Sequence, residues 1–511
     1  HLWEQYPVQL GARFGAADPA AGEALAADSA TVPQPAEPRA QERRGTDIAV
    51  VGMAARLPDS PDLAAFWEHL AAGNDLVREV PADRWSGQRS GQQGPHPLRG
   101  GFVPDVDCFD AAFFGISPRE AELMDPQQRI LLEVVWSAVE DAGYRPSELA
   151  GKRVGVFVAV ANNDYLEAQR AAGHGPQGHT ATGAALSVIP NRISYMLDLR
   201  GPSMAVDTAC SGSLTAVHQA CAALRDGTCD LAIAGGVNLI LTPSVYEVLD
   251  QGEMLSPDGR CKTFDRRADG YVRGEGVGAV LLKPADRARR DGDTPHATVK
   301  AVVANHGGRT TSLTAPNPDA QAELLVEAYR TADVPVESVG YLEAHGTGTA
   351  LGDPIETAGL SAAFRQLRAE QGTEAAPGCA LGSVKTNIGH LEAAAGLAGM
   401  FKTVLALGHG TIPAGLHFHE QNPHLELDGG PFEVAATARP WPRRYDAAGR
   451  ELPRRAGVSS FGFGGANAHI VLEEAQMPDA RAEEAAEHAY VLSARTPEAL
   501  RSAAQRLADH V

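Results

Sequence analysis

Continuous apolar segments of strand length alternate along the chain with longer segments whose apolar residues recur at helical spacing. Clear strand patterns are RVGVFVAVA (153–161), CDLAIAGGVNLIL (229–241) and GEGVGAVLLK (274–283). Strands without polar alternation are typical of sheets that are covered on both faces. The clearest helix pattern begins at Pro126 and has an apolar face from Ile130 to Val139, because proline suits the first turn of a helix.

A second series of the same kind begins with ATVKAVVANHGG (297–308) and includes the long helix pattern LEAAAGLAGMFKTVLAL (391–407). Repeated alternation of strands and helices in two successive halves predicts an α/β fold with mostly parallel, doubly covered sheets. We therefore expect two related halves, residues 46–296 and residues 297–474.

The two ends of the chain differ in composition from these halves. Residues 1–45 contain one short helix pattern and then a stretch rich in Ala, Pro and charged residues. This composition predicts an N-terminal extension and an interdomain linker. Residues 475–511 pass through an acidic Ala/Glu stretch into a strand and helix pattern, which we expect to be a linker and the truncated beginning of a small α/β linker domain.

Charge and cysteine usage exclude several classes of function. The 44 basic and 64 acidic residues give a formal charge of -20, which repels phosphate backbones and argues against nucleic-acid binding. No apolar run reaches the ~18 residues that a membrane span needs, so we expect no membrane insertion. The six cysteines show no CxxC spacing and no pairing pattern. They predict reduced thiols in a cytoplasmic protein, without a zinc site or a disulfide framework.

The stretch MAVDTACSGSLTAVHQACAAL (204–224) predicts a buried strand, a tight polar corner that holds Cys210, and a helix. The backbone N–H groups and the positive dipole end at a helix N-terminus favour a thiolate, so Cys210 is a candidate nucleophile. The same N–H groups are placed to stabilise an oxyanion. The alternative is a small buried core residue, the role that we expect for Cys221, Cys229 and Cys379.

Three later stretches place polar residues where a buried strand ends, which is where open α/β folds bind ligands. His345 follows the strand pattern VGYLEA, and His390 precedes the helix pattern that starts at Leu391. A helix N-terminus disfavours imidazolium, so we expect a neutral His390 that donates an N–H group. The alternative for each histidine is a structural hydrogen bond.

Three charged residues near these histidines have two interpretations each. Lys385 is either a solvated surface lysine or a residue that orients the site by pairing with a carboxylate such as Glu356. Asp353 and Glu356 either support the site or cap the helix that follows His345.

The motifs DTACSGSL, EAHGTGT with GDPIE, KTNIGHLEAAAG and FGFGGANAH, in this order and spacing, resemble the β-ketoacyl synthase domain of modular polyketide synthases. The resemblance implies a thiolase fold of two similar halves, layered α-β-α-β-α, that works as a homodimer. It implies that Cys210 accepts the acyl group, that His345 and His390 polarise the extender thioester, and that Lys385 supports them through Glu356. The backbone N–H groups of Cys210 and Phe463 match the oxyanion hole of the family, and Phe463 matches its gating phenylalanine.

The reaction implied by this resemblance is a decarboxylative Claisen condensation. An acyl chain moves from the phosphopantetheine thiol of an acyl carrier protein to Cys210, and the enolate of a malonyl-type extender on a second carrier attacks it. No bound cofactor, metal, nucleotide or nicotinamide is required. The alternatives are a non-elongating ketosynthase that only transfers the acyl chain and a catalytically silent module that docks carriers.

Two further features bear on partners. The segment NHGGRTTSLTAPNP (305–318) resembles ketosynthases that are served by a separate acyltransferase. Docking of an acidic carrier protein requires a basic patch, and a solvated loop is the alternative interpretation of the arginines in the C-terminal region. These candidates are Arg443, Arg444, Arg450, Arg454 and Arg455.

Overall fold

The computed structural model of the chain describes residues 47–85, 98–173, 175, 178–373, 378–427, 430–446, 448–475 and 489–510. The extension and linker predicted for residues 1–45 lie outside the described residues. The strands are β1 (Ile48–Arg56), β2 (Val77–Glu79), β3 (Arg99–Gly101), β4 (Val154–Ala159), β5 (Ser203–Val206), β6 (Leu231–Asn238), β7 (Arg273–Gly274), β8 (Gly276–Pro284), β9 (Ala297–His306), β10 (Val339–Glu343), β11 (Cys379–Gly382), β12 (Thr411–Ile412), β13 (Phe432–Val434), β14 (Arg439–Pro440), β15 (Arg444–Tyr445), β16 (Glu451–Leu452), β17 (Arg455–Phe461) and β18 (Ala466–Glu474).

The helices follow the predicted alternation with these strands. They are α1 (Leu63–Ala72), α2 (Pro118–Leu123), α3 (Pro126–Asp141), α4 (Asp164–Ala171), α5 (Thr180–Ala184), α6 (Val188–Met196), α7 (Gly212–Arg225), α8 (Ser244–Gln251), α9 (Ala285–Asp291), α10 (Pro318–Ala332), α11 (Gly352–Gln371), α12 (Lys385–Ile388), α13 (Ala395–His409) and α14 (Pro497–His510). Helix α3 begins as predicted at Pro126, where Asp125 accepts the Gln127 N–H at 2.8 Å and caps the first turn.

The two halves of the chain contribute adjoining parts of one large sheet. Its strand order is β13-β11-β10-β17-β18-β9-β1-β8-β6-β4-β5. The first half supplies β1, β8, β6, β4 and β5, and the second half supplies the other six strands. A short antiparallel pairing of Ile48–Val50 with Ala297–Val299 joins the two parts.

The strand directions correct the expectation of mostly parallel sheets. In each half a parallel group is followed by antiparallel strands, so both parts of the sheet are mixed. Strands β4, β5 and β6 are parallel, as are β10, β11, β13 and β17. Strand β8 is antiparallel to β6 and β1, and β18 is antiparallel to β17 and β9. Strands β17 and β18 are joined by the short loop 462–465, and only an antiparallel pair can be connected so briefly.

The helices complete the predicted α-β-α-β-α layering. Helices α7 and α13 pack between the two parts of the sheet, since both contact strands of each half. Helix α3 covers the outer face of the first half, and α10 covers the second, with α11 packed against α10 and sharing its core. The central helices approach closely at Gly396, where a Cβ atom would lie 2.7 Å from Leu214 Cγ. This central layer positions the site, because the predicted nucleophile and His390 lie at the beginnings of α7 and α13.

The helices of the described part of the chain include none long and apolar enough to cross a bilayer. Of the predicted C-terminal segment, residues 489–510 are described; they contain the amphipathic helix α14, but residues 489–496 do not form the predicted strand.

Candidate active site

Cys210 lies in a sharp turn between β5 and α7, as the sequence predicts, but β5 is an edge strand without a buried residue and not the predicted buried strand. A single turn of 3-10 helix, Ala209–Ser211, leads directly into α7. Ala209 has φ +51°, in the left-handed region that residues other than glycine rarely adopt. Ser460 Oγ donates a hydrogen bond to the Cys210 carbonyl at 2.7 Å and holds the turn against β17.

The surroundings of the sulfur correct the predicted thiolate. Cys210 is half-buried as a residue, but protein atoms enclose the sulfur, and burial raises the pKa of the Cys210 thiol to about 12. The negative charge of Glu392 raises this pKa further, whereas Lys385 and the backbone N–H groups of Phe463 and Cys210 lower it. The loss of hydration therefore outweighs Lys385 and these two N–H groups, which favours the thiol as the resting group.

We expect alkylation of Cys210 by iodoacetamide to accelerate about tenfold per pH unit between about pH 7 and 9, because the thiolate fraction rises tenfold per unit below a pKa. The rate is measured on the Cys210 peptide by mass spectrometry, which separates it from the other cysteines. A plateau below about pH 8 would show a depressed pKa and restore the thiolate interpretation.

His345 lies in the loop that follows β10 and contacts the end of β17. Its ring Nδ1 accepts the Phe461 N–H at 3.3 Å. The neighbouring residue Ser460 contacts Cys210, so one strand end connects the histidine with the cysteine. A ring nitrogen that accepts a backbone N–H carries no proton, so neutral His345 carries its proton on Nε2.

His390 lies next to His345 at the beginning of the segment that leads into α13. The two ring centroids are 5.4 Å apart, and the rings are nearly perpendicular, at 82°. Nδ1 of His390 accepts the Glu392 N–H at 3.0 Å, which again assigns the proton to Nε2. The two imidazoles therefore offer two Nε2–H donors.

Both histidines are neutral at neutral pH. Burial lowers the pKa of His345 well below its ordinary value, and the nearby Lys385 and His390 lower it further. Burial, Lys385 and Arg273 do the same for the pKa of His390. The lowered pKa of His390 favours the neutral state predicted for it, and its largest cause is burial.

Asp353 and Glu356 hold the loop that carries His345. The Glu356 carboxylate accepts the backbone N–H groups of His345 at 2.7 Å and Gly346 at 2.9 Å. Asp353 accepts those of Phe264 at 2.8 Å and Gly348 at 3.1 Å. Burial raises the pKa of Glu356 to about 7 and that of Asp353 to about 6. Both side chains anchor main chain near the site, and neither caps α11.

Lys385 is buried, which excludes the interpretation of a solvated surface lysine. Among the described side chains, however, Lys385 forms no ion pair with Glu356 within 4.0 Å. Burial lowers the pKa of the Lys385 ammonium, while Glu343 and then Glu356 raise it. Lys385 therefore acts on the site through its electrostatic field. Instead of the predicted contact with Lys385, Glu356 accepts backbone N–H groups.

A buried ion pair beneath the site was not predicted from the sequence. Lys402 Nζ lies 3.0 Å from Glu343 Oε2, and both side chains are fully buried. Glu343 also accepts the Val384 N–H at 2.5 Å, immediately before Lys385. The sequence feature that could have indicated this ion pair is the lysine inside the otherwise apolar helix pattern LAGMFKTVLAL, because lysines are rarely buried without a partner.

Phe463 lies in the hairpin loop between β17 and β18 and has an exposed fraction of 60 %. Its backbone N–H faces the Cys210 sulfur. The main chain of Phe463 therefore lies at the site, while its aromatic ring lies near the protein surface. Around these residues, and throughout the described part of the chain, no group of three or more His, Cys, Asp or Glu side chains is placed to hold a metal ion.

The C-terminal arginines bond within the chain, which argues against a carrier-docking patch, but Arg454 and Arg455 are mostly buried, so the solvated-loop interpretation does not describe these two. Their partners are carboxylates for four arginines and backbone carbonyl groups for one: Arg443 with Glu451 and Glu474, Arg450 with Asp446, Arg454 with Glu474, Arg455 with Glu473, and Arg444 with the carbonyl groups of Glu337 and Gly378.

Solved structures with high similarity share this architecture. The ketosynthase domain OzmH KS7 of oxazolomycin synthesis from Streptomyces albus JA3453 superposes with a TM-score of 0.84 at 44% identity, covering 91% of this chain and 80% of that chain. The ketosynthase from module 6 of the bacillaene synthase of Bacillus subtilis 168 gives a TM-score of 0.80 at 39% identity, covering 91% and 76%.

Curated relatives are much longer proteins. Polyketide synthase PksN of Bacillus subtilis is 46% identical over 475 residues, which are 90% of this chain and 9% of that protein. Polyketide synthase ThaG of Burkholderia thailandensis is 49% identical over 438 residues, which are 84% of this chain and 8% of that protein. The chain thus spans only a small part of the length of these relatives.

Family profiles cover nearly the whole chain. Residues 45–288 match the N-terminal domain of β-ketoacyl synthase, residues 296–419 match its C-terminal domain, and residues 422–511 match the ketoacyl-synthetase C-terminal extension. The chain therefore belongs to the β-ketoacyl synthase family, as a ketosynthase domain of the polyketide synthase type with a thiolase fold.

Proposed function

We propose that the domain elongates a polyketide chain by decarboxylative Claisen condensation. The observation that carries the proposal is the convergence of one thiol and two neutral imidazoles. Cys210 and His345 contact neighbouring residues of β17, and His390 lies against His345. Both rings have Nδ1 capped by a backbone N–H, so both carry a donating Nε2–H group.

The first step moves the acyl group to Cys210. The sulfur attacks the thioester carbonyl of an acyl chain held on the phosphopantetheine arm of a carrier protein. The backbone N–H groups of Cys210 and Phe463 face the sulfur and are placed to stabilise the oxyanion. The carbon–sulfur bond to the carrier breaks, and the departing thiolate takes up the proton that the Cys210 thiol gives up.

The second step forms the carbon–carbon bond. A malonyl-type thioester on a second carrier loses carbon dioxide, and the electron pair of the broken bond remains as an enolate. The Nε2–H groups of His345 and His390 stabilise the enolate oxygen, and two fixed donors in a buried site are worth more than in water. The enolate carbon attacks the acyl–Cys210 carbonyl, the carbon–sulfur bond breaks, and the Cys210 sulfur regains a proton from solvent.

Mass spectrometry of the intact protein separates this proposal from its alternatives. After incubation with an acyl thioester we expect an adduct on the Cys210 peptide, and after addition of malonyl carrier protein we expect a β-ketoacyl product with loss of the adduct. Acylation without condensation would assign a transfer-only domain. Absence of acylation would assign a catalytically silent docking module.

We further propose that the extender is loaded by a separate acyltransferase. The support is the segment 305–318, whose sequence resembles ketosynthases of that kind. Its His306 contacts the Phe463 loop, with Nε2 3.0 Å from the Gly464 carbonyl oxygen. Labelled malonyl-CoA tests the proposal on the intact synthase. Label on the carrier without an added acyltransferase would contradict it.

We also propose that the domain works as a homodimer. Strand β5 ends the large sheet and pairs only with β4 among the described strands. An unpaired, partly apolar edge is a template for pairing with a second copy. Met204 on this strand is 42% exposed, and Tyr195 on α6, which packs against β5, is 83% exposed.

Met204→Lys should weaken the dimer by about a hundredfold or more, because a two-fold interface buries the introduced charge twice. Analytical ultracentrifugation over a range of concentrations measures the change. Tyr445→Lys is the matched control, since Tyr445 is 65% exposed on the β15–β16 hairpin. A dimer that resists Met204→Lys, or that Tyr445→Lys disrupts equally, would contradict an interface at β5.

A further inference from the structure

An ion pair that the proposed reaction does not use crosses between the two halves beside His390. The fully buried guanidinium of Arg273 donates to Glu392 from Nε to Oε1 at 2.5 Å and from Nη2 to Oε2 at 3.1 Å. Asn162 Nδ2 donates to Glu392 Oε2 at 3.0 Å. Two residues of the first half thus hold one carboxylate of the second half.

The main chain of His390 is fixed to the same part of the first half. Its N–H donates to the Val272 carbonyl at 2.7 Å, and its carbonyl accepts the Gly274 N–H at 2.8 Å. Gly389 has φ +76°, and a Cβ atom there would lie 2.7 Å from the Arg273 carbonyl oxygen. The two backbones are therefore in direct contact, with Arg273 and His390 paired as an isolated parallel bridge.

Glu392 has an unfavourable backbone conformation. Its φ of +48° lies in the left-handed region, which is unfavourable for a residue with a Cβ atom. In this conformation its N–H caps Nδ1 of His390 at 3.0 Å. The bidentate contact with Arg273 and the hydrogen bond from Asn162 fix the Glu392 side chain in the position that this backbone conformation requires. These bonds therefore stabilise the left-handed conformation of Glu392.

We propose that Glu392 is a positioning residue for His390. Arg273 and Asn162 hold Glu392 in the left-handed conformation, the Glu392 N–H holds the imidazole in the Nε2–H tautomer, and the ring presents that proton to the reacting oxygen. The inference rests on the proposed function for the role of His390 in condensation, but the tautomer is a property of the resting protein.

The other interpretation of the pair is a contribution to folding alone, and the chain offers a matched control for it. Glu275, two residues after Arg273, is fully buried, whereas the Glu392 side chain is 15% exposed, and it pairs with Arg84 at 2.9 Å. Its carboxylate also accepts the backbone N–H groups of Val103 and Ile240. Truncating Glu275 removes a buried charge of the same kind without removing a contact of His390.

The test compares Glu392→Ala with Glu392→Gly, because both remove the carboxylate and only glycine tolerates φ +48°. We expect Glu392→Ala to slow condensation about ten- to a hundredfold, as a misplaced catalytic group does. Glu392→Gly should be about tenfold faster than Glu392→Ala, which reflects the left-handed penalty that only alanine bears. Acylation of Cys210 should change little in either variant. Glu275→Ala should lower the melting temperature and leave the ratio of condensation to acylation unchanged.

A second measurement keeps the inference independent of turnover. Nitrogen-15 NMR of labelled histidine, with the His390 signals assigned by their loss in His390→Gln, should show a protonated Nε2 in wild type and Glu392→Gly and a mixture of tautomers in Glu392→Ala. Equal rates and equal spectra for the two variants would overturn the inference. A wild-type domain that shows this tautomer but never condenses would overturn the proposed function alone.

Discussion

Cys210→Ala is expected to abolish the acyl-protein adduct and to lower the condensation rate by about 10⁴-fold or more, as removal of a nucleophile does in enzymes that form acyl intermediates. The expectation follows from the turn that presents the sulfur, where the backbone N–H groups of Cys210 and Phe463 face it. Alanine keeps the strand, the turn and the helix, so the loss reports on chemistry and not on folding. Intact-protein mass spectrometry and a product assay with malonyl carrier measure both effects.

Cys221→Ala is the matched control for this experiment. Cys221 is a fully buried cysteine of α7, the helix that follows Cys210, and its side chain belongs to the central core. Its truncation should lower the free energy of unfolding by about 1–2 kcal/mol through lost packing and leave the acyl adduct in place. An adduct that persists in Cys210→Ala, or that disappears in Cys221→Ala, would show that the nucleophile has been wrongly assigned.

The local pattern around Cys210 was sufficient to predict the order of strand, turn and helix, but not the left-handed conformation of Ala209 or the exposure of β5. A strand-length apolar segment, small polar residues and a helical apolar face were enough to locate the turn, because each is a property of consecutive residues. The state of the thiol was not predictable in this way. It depends on burial by residues distant in sequence and on Glu392. The sequence near Cys210 shows that a helix begins there, but it does not show the desolvation that raises the pKa of the thiol.

The two carboxylates near His345 illustrate the same limit. The sequence predicted a helix after His345, and in that helix, α11, Asp353 lies in the first turn and Glu356 in the next. The sequence does not state which donors their oxygens meet. Glu356 bonds the main chain of its own loop and not Lys385, because two backbone N–H groups of that loop already occupy both oxygens.

The α/β class and the two halves followed from the repeated strand–helix pattern, and the layer order was implied by the family resemblance, whereas the strand directions could not be predicted from the pattern. Antiparallel pairing of β8 and β18 depends on how loops return the chain, and an apolar strand has the same pattern in either direction. The left-handed conformations of Ala209 and Glu392 could not be predicted from the sequence either. The backbone preferences of alanine and glutamate disfavour this conformation, and only tertiary contacts stabilise it. Two of the nine described non-glycine residues with positive φ thus lie next to the nucleophile and beside His390, where positioning matters.

His345→Ala should leave acylation of Cys210 nearly intact and slow condensation by about 10²–10³-fold, the range found when one donor to a developing oxyanion is removed. The split is expected because the oxyanion of the first step is stabilised by backbone N–H groups, whereas the enolate of the second step depends on the two imidazoles. The Nδ1 of His345 is already occupied by the Phe461 N–H, so only its Nε2–H is available to the substrate. Single-turnover rates of adduct formation and of product release measure the two steps separately.

The buried His469 supplies the control that separates this effect from destabilisation. Its ring bonds Ser459 Oγ at 2.9 Å and lies 3.4 Å from the Tyr329 hydroxyl, within the β17–β18 region. His469→Ala should lower the melting temperature while both single-turnover rates keep their ratio. If His345→Ala instead slowed both steps equally, the imidazole would act in acyl transfer as well. The assignment of its proton to the enolate oxygen alone would then be wrong.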